Sequence, residues 1–186
     1  MTKPGDVKAV LEDRERDFLL SKTRVTLKSS LENIDVGDYK LDEMKAGESV
    51  ELPRWIAEEL VRINLAEALE EPFETEIVKA LSREKMMGPL QLSPLPGDFY
   101  VRMHRRLAYL GVAAKEGRVR REEHERVRAS SYDLIGMRLS KLLSLSSTSA
   151  SAASLGDKLT PEEKAFFSES QASSREWREA MLGGGM

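Results

Sequence analysis

The sequence contains no cysteine among its 186 residues. This absence excludes disulfide bonds, thiolate nucleophiles and every zinc site built on sulfur. It agrees with a reducing intracellular environment, in which proteins do not depend on disulfides for their stability. We therefore expect a cytoplasmic protein.

Long apolar runs and a surplus of positive charge are also lacking. No stretch approaches the ~20 consecutive apolar residues of a membrane span, and the N-terminus lacks an apolar segment of the length that a signal peptide needs. The 29 Lys and Arg residues stand against 32 Asp and Glu residues, which gives a net charge of −3. This balance argues against a chain that binds polyanions with its whole surface. We expect no membrane contact.

Motifs for catalysis are missing as well. No Gly-rich loop follows a strand and opens a helix, so phosphate-binding fingerprints are absent. The histidines, His104 and His124, have no second ligand at a metal-binding spacing. Acidic pairs are numerous, and we interpret them as solvent-exposed helix surface; they include Glu58-Glu59, Glu70-Glu71 and Glu162-Glu163. The sequence therefore predicts a protein that is not an enzyme, with no catalytic residue, no metal site and no cofactor.

The residues that are present divide the chain into a short β-rich part and a long helical part. After a charged N-terminal extension at 1–17, alternating apolar residues between turn signals predict three or four short strands in 18–52. Apolar stripes at helical spacing then fill 53–145. The predicted fold class is α+β, with a small N-terminal β-domain followed by a mainly α-helical bundle domain.

The first predicted helix has an unusually wide apolar surface. Its stripe contains Trp55, Ile56, Leu60, Ile63 and Leu69, and further apolar residues lie away from the centre of that stripe. A single core-facing stripe is rarely so wide. We therefore predict that this helix lies at the centre of its domain or is buried against another subunit.

A proline-rich turn aims the next helix. Pro94 and Pro96 restrict the backbone, Gly97 allows a sharp change of direction, and Asp98 is placed to cap the helix that follows. Phe99 and Tyr100 open that helix. We interpret these two aromatic residues as anchors of the core or of a subunit interface.

The C-terminal region is predicted to contain a linker and two helices. A Ser/Ala-rich stretch at 146–158 lacks large packing groups and is predicted to be a mobile linker. In the final region, 159–186, the sequence Thr160-Pro161-Glu162-Glu163 is typical of a helix start, and a second short helix is expected from Ser174 to Leu182, before a Gly-rich tail.

Six arginines form the best candidate for a polar binding surface. They are Arg102, Arg105, Arg106, Arg118, Arg120 and Arg121. They allow an alternative function, in which the chain is a nucleic-acid-binding module that contacts DNA phosphates. Neighbouring glutamates at 116, 122, 123 and 125 would offset much of this positive potential. A DNA contact is therefore possible but weak.

Three stretches carry a resemblance to a known family. The sequence VELPRWIA at 50–57 resembles a V-x-(V/L)-P-x-W-(L/I)-A pattern, LSPLPGDFY at 92–100 is similar to a P-x-P-x-x-(F/Y)-Y turn, and DLIGMRLSKL at 133–142 resembles a D-x-x-x-x-R-x-x-K-(I/L) helix. In this order and spacing they resemble a subunit of the archaeal GINS complex, of the class with the small β-domain first.

The resemblance implies a non-catalytic scaffold in DNA replication. Such a subunit assembles with other GINS subunits into a tetramer, which bridges the MCM helicase and a RecJ-like protein at the fork, in the cytoplasm at the nucleoid. Arg138 and Lys141 occupy the matched polar positions, and we assign them structural or interface ion pairs. The candidate interface residues are then Trp55, Ile56, Leu60, Ile63, Phe99, Tyr100, Arg138 and Lys141.

Overall fold

The computed structural model describes residues 7–36, 39–148 and 152–183. The chain divides into two compact units. The first, which we name the sheet unit, contains Glu15–Glu71, and the second, the helical unit, contains Met1–Arg14 and Pro72–Met186. The sequence placed these boundaries after residues 17 and 52. The structure differs because a helix and a strand after residue 53 pack with the sheet.

The N-terminal helix α1 spans Val7–Leu20, and five short strands of the sheet unit follow it. They are β1 Lys22–Leu27, β2 Ile34–Val36, β3 Tyr39–Leu41, β4 Ser49–Pro53 and β5 Ala66–Ala68. β1 pairs antiparallel with β4 on one side and β5 on the other, while β2 and β3 form a separate hairpin. Along β1, alternate residues Thr23, Val25 and Leu27 are buried, as period-two patterning predicts.

Helix α2, Arg54–Arg62, covers this sheet. Its buried residues Ile56, Ala57 and Leu60 share one apolar core with the strands. The prediction of a helix continuing to Leu69 is wrong. Asn64 adopts a left-handed conformation with φ 63°, a region that side chains other than Gly and Asn rarely tolerate, and the chain then enters β5. The wide apolar pattern therefore belongs to two elements rather than to one helix.

Four long helices form the body of the helical unit, with one short helix between the last two. They are α3 Phe73–Met86, α4 Phe99–Lys115, α5 Arg121–Ser146, the short α6 Ala152–Leu155, and α7 Pro161–Leu182. α5 packs against α3, α4 and α7, so it is the central helix. The predicted fold class is confirmed. Across the ranges that the structure describes, no helix has the length and apolarity needed to cross a membrane.

The proline-rich turn inserts into the helical unit. Leu92 and Leu95 are buried, and Phe99 at the start of α4 is fully buried, with its ring centroid 5.3 Å from that of Phe73. Asp98 lies at the N-cap position but makes no capping hydrogen bond through its side chain, so the capping prediction is wrong. The apolar side chains of the turn, rather than a cap, position α4.

The helix start predicted near residue 160 is present. Thr160 and Glu163 form a reciprocal capping box, in which the Glu163 N–H donates to Thr160 Oγ1 at 3.3 Å and the Thr160 N–H donates to Glu163 Oε2 at 3.1 Å. α7 then continues unbroken to Leu182, so the separate helix expected from Ser174 is wrong.

The stretch predicted as a mobile linker is partly helical. α5 extends to Ser146, and α6 and a 3-10 turn, Gly156–Lys158, precede α7. Residues 149–151 of the predicted linker lie outside the described residues.

Candidate interaction surface

A buried ion cluster organises the helical unit. Its members are Arg138 and Lys141 of α5, Glu84 of α3 and Glu163 of α7, and all four are buried. The two cations lie three residues apart on α5, so they occupy one face of that helix. Two positive charges meet two negative ones, and the cluster is therefore balanced.

Every N–H of the Arg138 guanidinium has an acceptor. Nε donates to Glu163 Oε1, and Nη2 donates to Glu163 Oε2 at 2.6 Å and to the Lys158 carbonyl at 2.9 Å. Nη1 donates to Glu84 Oε2 at 2.9 Å and to the Ser93 carbonyl at 2.7 Å. A guanidinium carries five N–H donors, so each donor of this buried cation has an acceptor, as a buried charge requires.

Both carboxylate oxygens of Glu84 also accept hydrogen bonds. Lys141 Nζ donates to Glu84 Oε1 at 2.7 Å, and the Ser93 hydroxyl and N–H donate to Oε2 at 2.6 and 3.1 Å. Burial alone would raise the pKa of Glu84. The hydrogen bonds from Lys141 and Ser93, together with the charge of Arg138, outweigh burial and hold the pKa below its ordinary value of 4.5. The carboxylate is therefore ionised at neutral pH.

The cluster explains why the sequence motif at 133–142 requires both an arginine and a lysine. Arg138 joins α5 to α3, to the proline-rich turn and to the start of α7, while Lys141 secures α3. The expected structural ion pairs are present within the chain. Both residues are buried inside the helical unit, and the alternative that they form part of a subunit interface stays a prediction.

A neighbouring face of α5 exposes an apolar stripe, which we name the α5 stripe. Its residues are Tyr132, Ile135, Leu139 and Leu143, with 65%, 38%, 41% and 48% of their surfaces exposed. Their spacing of three or four residues places them along one helix face. Gly136 lies beside them, and a Cβ added there would meet no atom within 4 Å. The face is partly covered, since the Arg128 guanidinium lies 5.5 Å from the centroid of the Tyr132 ring, but each of the four side chains keeps more than a third of its surface exposed.

A groove of about 300 Å³ adjoins the stripe, and we name it the α4–α7 groove. Ile135 and Leu139 belong to both features, which makes them one continuous apolar surface. The walls come from four helices and include Leu11 of α1, Met103, His104 and Leu107 of α4, and Phe166 of α7. Arg138 and Glu163 of the ion cluster also line it, and the Tyr100 hydroxyl donates to Glu163 Oε1 at 2.8 Å. Burial and the charge of Glu163 raise the pKa of Tyr100.

Glu162 also lines this groove. The prediction that the pair Glu162-Glu163 is solvent-exposed is wrong: Glu162 keeps only 5% of its surface exposed, and Glu163 is buried in the ion cluster. The physical reason is the docking of the first turn of α7 onto α4 and α5, which the sequence does not reveal. No sequence signal distinguished Glu162 from the other acidic residues.

Only part of the predicted interface set is accessible. In the sheet unit Ile63 is exposed and Trp55 is half-buried, and in the helical unit Tyr100 is half-buried. Ile56, Leu60 and Phe99 are buried in the cores of their own units, which disfavours a direct contact with a partner; their assignment to a subunit interface stays a prediction. The stripe on α5 was not among the predicted interface residues.

The six arginines do not form a continuous basic surface. Half of them pair with glutamates in the same unit: Arg102 with Glu76, Arg106 with Glu74 and Arg118 with Glu116. Arg105 is half-buried, while Arg120 and Arg121 are exposed at the start of α5. The paired guanidiniums have their charge neutralised locally, which disfavours phosphate binding by the set.

The helical unit holds a balanced ion cluster in its interior and exposes an apolar face on α5, and exposed apolar surface of this kind is typical of proteins that associate with partners. In the described part of the chain, no group of three acidic or histidine side chains is placed to hold a metal ion. Residues 56–182 match the family model for the GINS complex protein helical bundle domain, Sld5. The chain therefore belongs to the GINS family of DNA replication proteins. A comparison with curated protein sequences found no match.

Proposed function

We propose that this chain is a non-catalytic assembly subunit, of the archaeal GINS class in which the small β-domain comes first. Its task is to join other GINS subunits in a tetramer that scaffolds the MCM helicase and a RecJ-like protein at the replication fork. The proposed location is the cytoplasm, at the nucleoid. Membership of the GINS family supports the first part, and the order of sheet unit and helical unit supports the class.

The observation that carries the proposal is the α5 stripe. Large apolar residues exposed in a row along one helix favour burial against a partner, because removing apolar surface from water contributes about 25 cal/mol per Å². The stripe lies on α5, the central helix, and the ion cluster connects this helix to α3 and α7. A rigid, preorganised face of this kind loses little conformational entropy on binding.

Light scattering of the chain with and without a companion GINS subunit tests the proposal. We expect a tetramer mass with the wild-type chain and loss of that mass when Leu139 and Leu143 are both replaced by serine. Val78→Ser is the matched control, because Val78 is an equally exposed apolar residue on α3. A wild-type chain that remains a monomer beside its companion would contradict the proposal.

Binding of the tetramer to the MCM helicase and to the RecJ-like protein requires a separate experiment. Immobilised tetramer is incubated with purified MCM and, separately, with the RecJ-like protein, and retained protein is quantified. Retention of both is expected. A tetramer that forms but retains neither would confine the function to assembly among GINS subunits.

A further inference from the structure

Glu162 is the one carboxylate in the α4–α7 groove that the chain leaves without a donor. Neither of its buried oxygens accepts a hydrogen bond from any protein group in the described residues. Its neighbour Glu163 is bound by Arg138, Tyr100 and the Thr160 N–H. The two adjacent carboxylates at the start of α7 therefore differ: Glu163 accepts several hydrogen bonds from the described residues, and Glu162 accepts none.

The other described residues that line the groove give the oxygens of Glu162 no hydrogen bond. Most of the lining is apolar, Arg138 and Glu163 bind each other, and His104 makes no hydrogen bond to Glu162. The positive end of the α7 dipole stabilises a carboxylate in the first turn, but it gives no hydrogen bond to these oxygens. A buried carboxylate without a donor is costly, so the site is suited to a ligand that brings one.

We propose that the α4–α7 groove receives a lysine or arginine side chain from a helix of a companion GINS subunit, and that this cation pairs with Glu162. The inference rests on the proposed function and names the chemistry of its partner. The aliphatic stem of Lys or Arg fits apolar walls, while the charged end reaches the carboxylate. Flanking apolar residues of the same helix cover Ile135 and Leu139.

A purely apolar occupant would be disfavoured. It would leave the buried carboxylate of Glu162 without a hydrogen bond, whereas a cation would supply one and recover part of the cost of burying that charge. Charge complementarity therefore selects a cationic segment. A helix is the expected form because the α5 stripe has the spacing of helix-on-helix packing.

The experiment compares Glu162→Gln with the wild-type chain in two states, free and bound to a purified companion GINS subunit. Glu169→Gln is the control, because Glu169 is an exposed glutamate on the same helix. In the free chain, Glu162→Gln removes an unpaired charge, and its Tm is expected to equal or exceed that of the wild type. Titration calorimetry of the complex is expected to show an affinity at least tenfold weaker than wild type, while the control retains wild-type affinity.

The two readouts separate the possible failures. If Glu162→Gln binds the companion as tightly as the wild type, or more tightly, the pairing with a cation is overturned while the proposed function stands. A clear loss of Tm in the free variant would mean that the chain itself satisfies the carboxylate, and would also overturn the inference. Absence of any binding by the wild-type chain would overturn the proposed function. Self-association of the wild-type chain that fills the groove at the same concentrations would assign it to a second copy and overturn the assignment to a companion.

Discussion

Replacement of Arg138 by lysine tests whether the helical unit depends on the shape of the guanidinium as well as on its charge. Lysine retains the positive charge but has three donors on a single nitrogen, whereas Arg138 uses five donors on three nitrogens. At least two hydrogen bonds to Arg138 must therefore be lost. A hydrogen bond involving a charged group contributes about 1.5–3 kcal/mol, so we expect the free energy of unfolding to fall by about 3 kcal/mol or more.

A second variant, Arg138→Met, removes the charge as well as the donors and is expected to lower the free energy of unfolding more than Arg138→Lys does. It leaves Glu84 and Glu163 buried with Lys141 as the only cation of the cluster. Breaking a buried pair by removing one partner costs about 3–5 kcal/mol, which is a large part of the total stability of a domain. We expect this variant to be partly unfolded at ambient temperature.

Urea unfolding, followed by the far-UV circular dichroism of the helices, measures these changes. Arg126→Lys serves as the matched control, because Arg126 is exposed on the same helix α5 and its replacement is expected to change stability by less than about 0.5 kcal/mol. If Arg138→Lys unfolds within about 1 kcal/mol of the wild type at an unchanged m-value, the reasoning from donor geometry is refuted.

Two further predictions concern acid stability and the turn after α2. Because the pKa of Glu84 is lowered in the folded protein, its contribution is complete above the ordinary value of 4.5 and is lost as pH falls through the folded pKa. Glu84→Gln should therefore be less stable at neutral pH and lose less stability on acidification, measured as urea midpoint against pH; an identical acid dependence would contradict this. Asn64→Ala should cost about 1 kcal/mol more than Asn64→Gly, because only alanine strains the left-handed backbone. Both variants lose the hydrogen bond from Lys28, so equal stabilities in thermal melts would disprove the strain.

The elements that the sequence predicted well are those fixed by local patterns. The buried alternation of β1 and the capping box at Thr160 depend on residues close together in the chain, and both are present. The end of α2 was missed because one residue, Asn64, in the left-handed region outweighs a continuing apolar pattern. Such a backbone choice has no signal in hydrophobic periodicity.

The candidate site was harder to predict, because it is assembled from distant parts of the chain. The resemblance assigned Arg138 and Lys141 to ion pairs, but their partner Glu84 lies more than 50 residues earlier in the sequence. With 32 acidic residues available, sequence alone cannot select that partner. Glu162 was misassigned for the same reason, since its burial follows from where α7 docks.

All five N–H donors of Arg138 are used, and this constrains which substitutions the ion cluster can accept during evolution. The acceptors of Arg138 come from both sides of α5 in the sequence, and each of them relies on the same cation. A replacement that removes the charge of Arg138, Glu84 or Glu163 leaves an opposite charge unpaired in the interior, so its cost is reduced only when a second position of the cluster changes with it. Lineages of this family are therefore expected to inherit the cluster as a set or to replace it by apolar residues as a set.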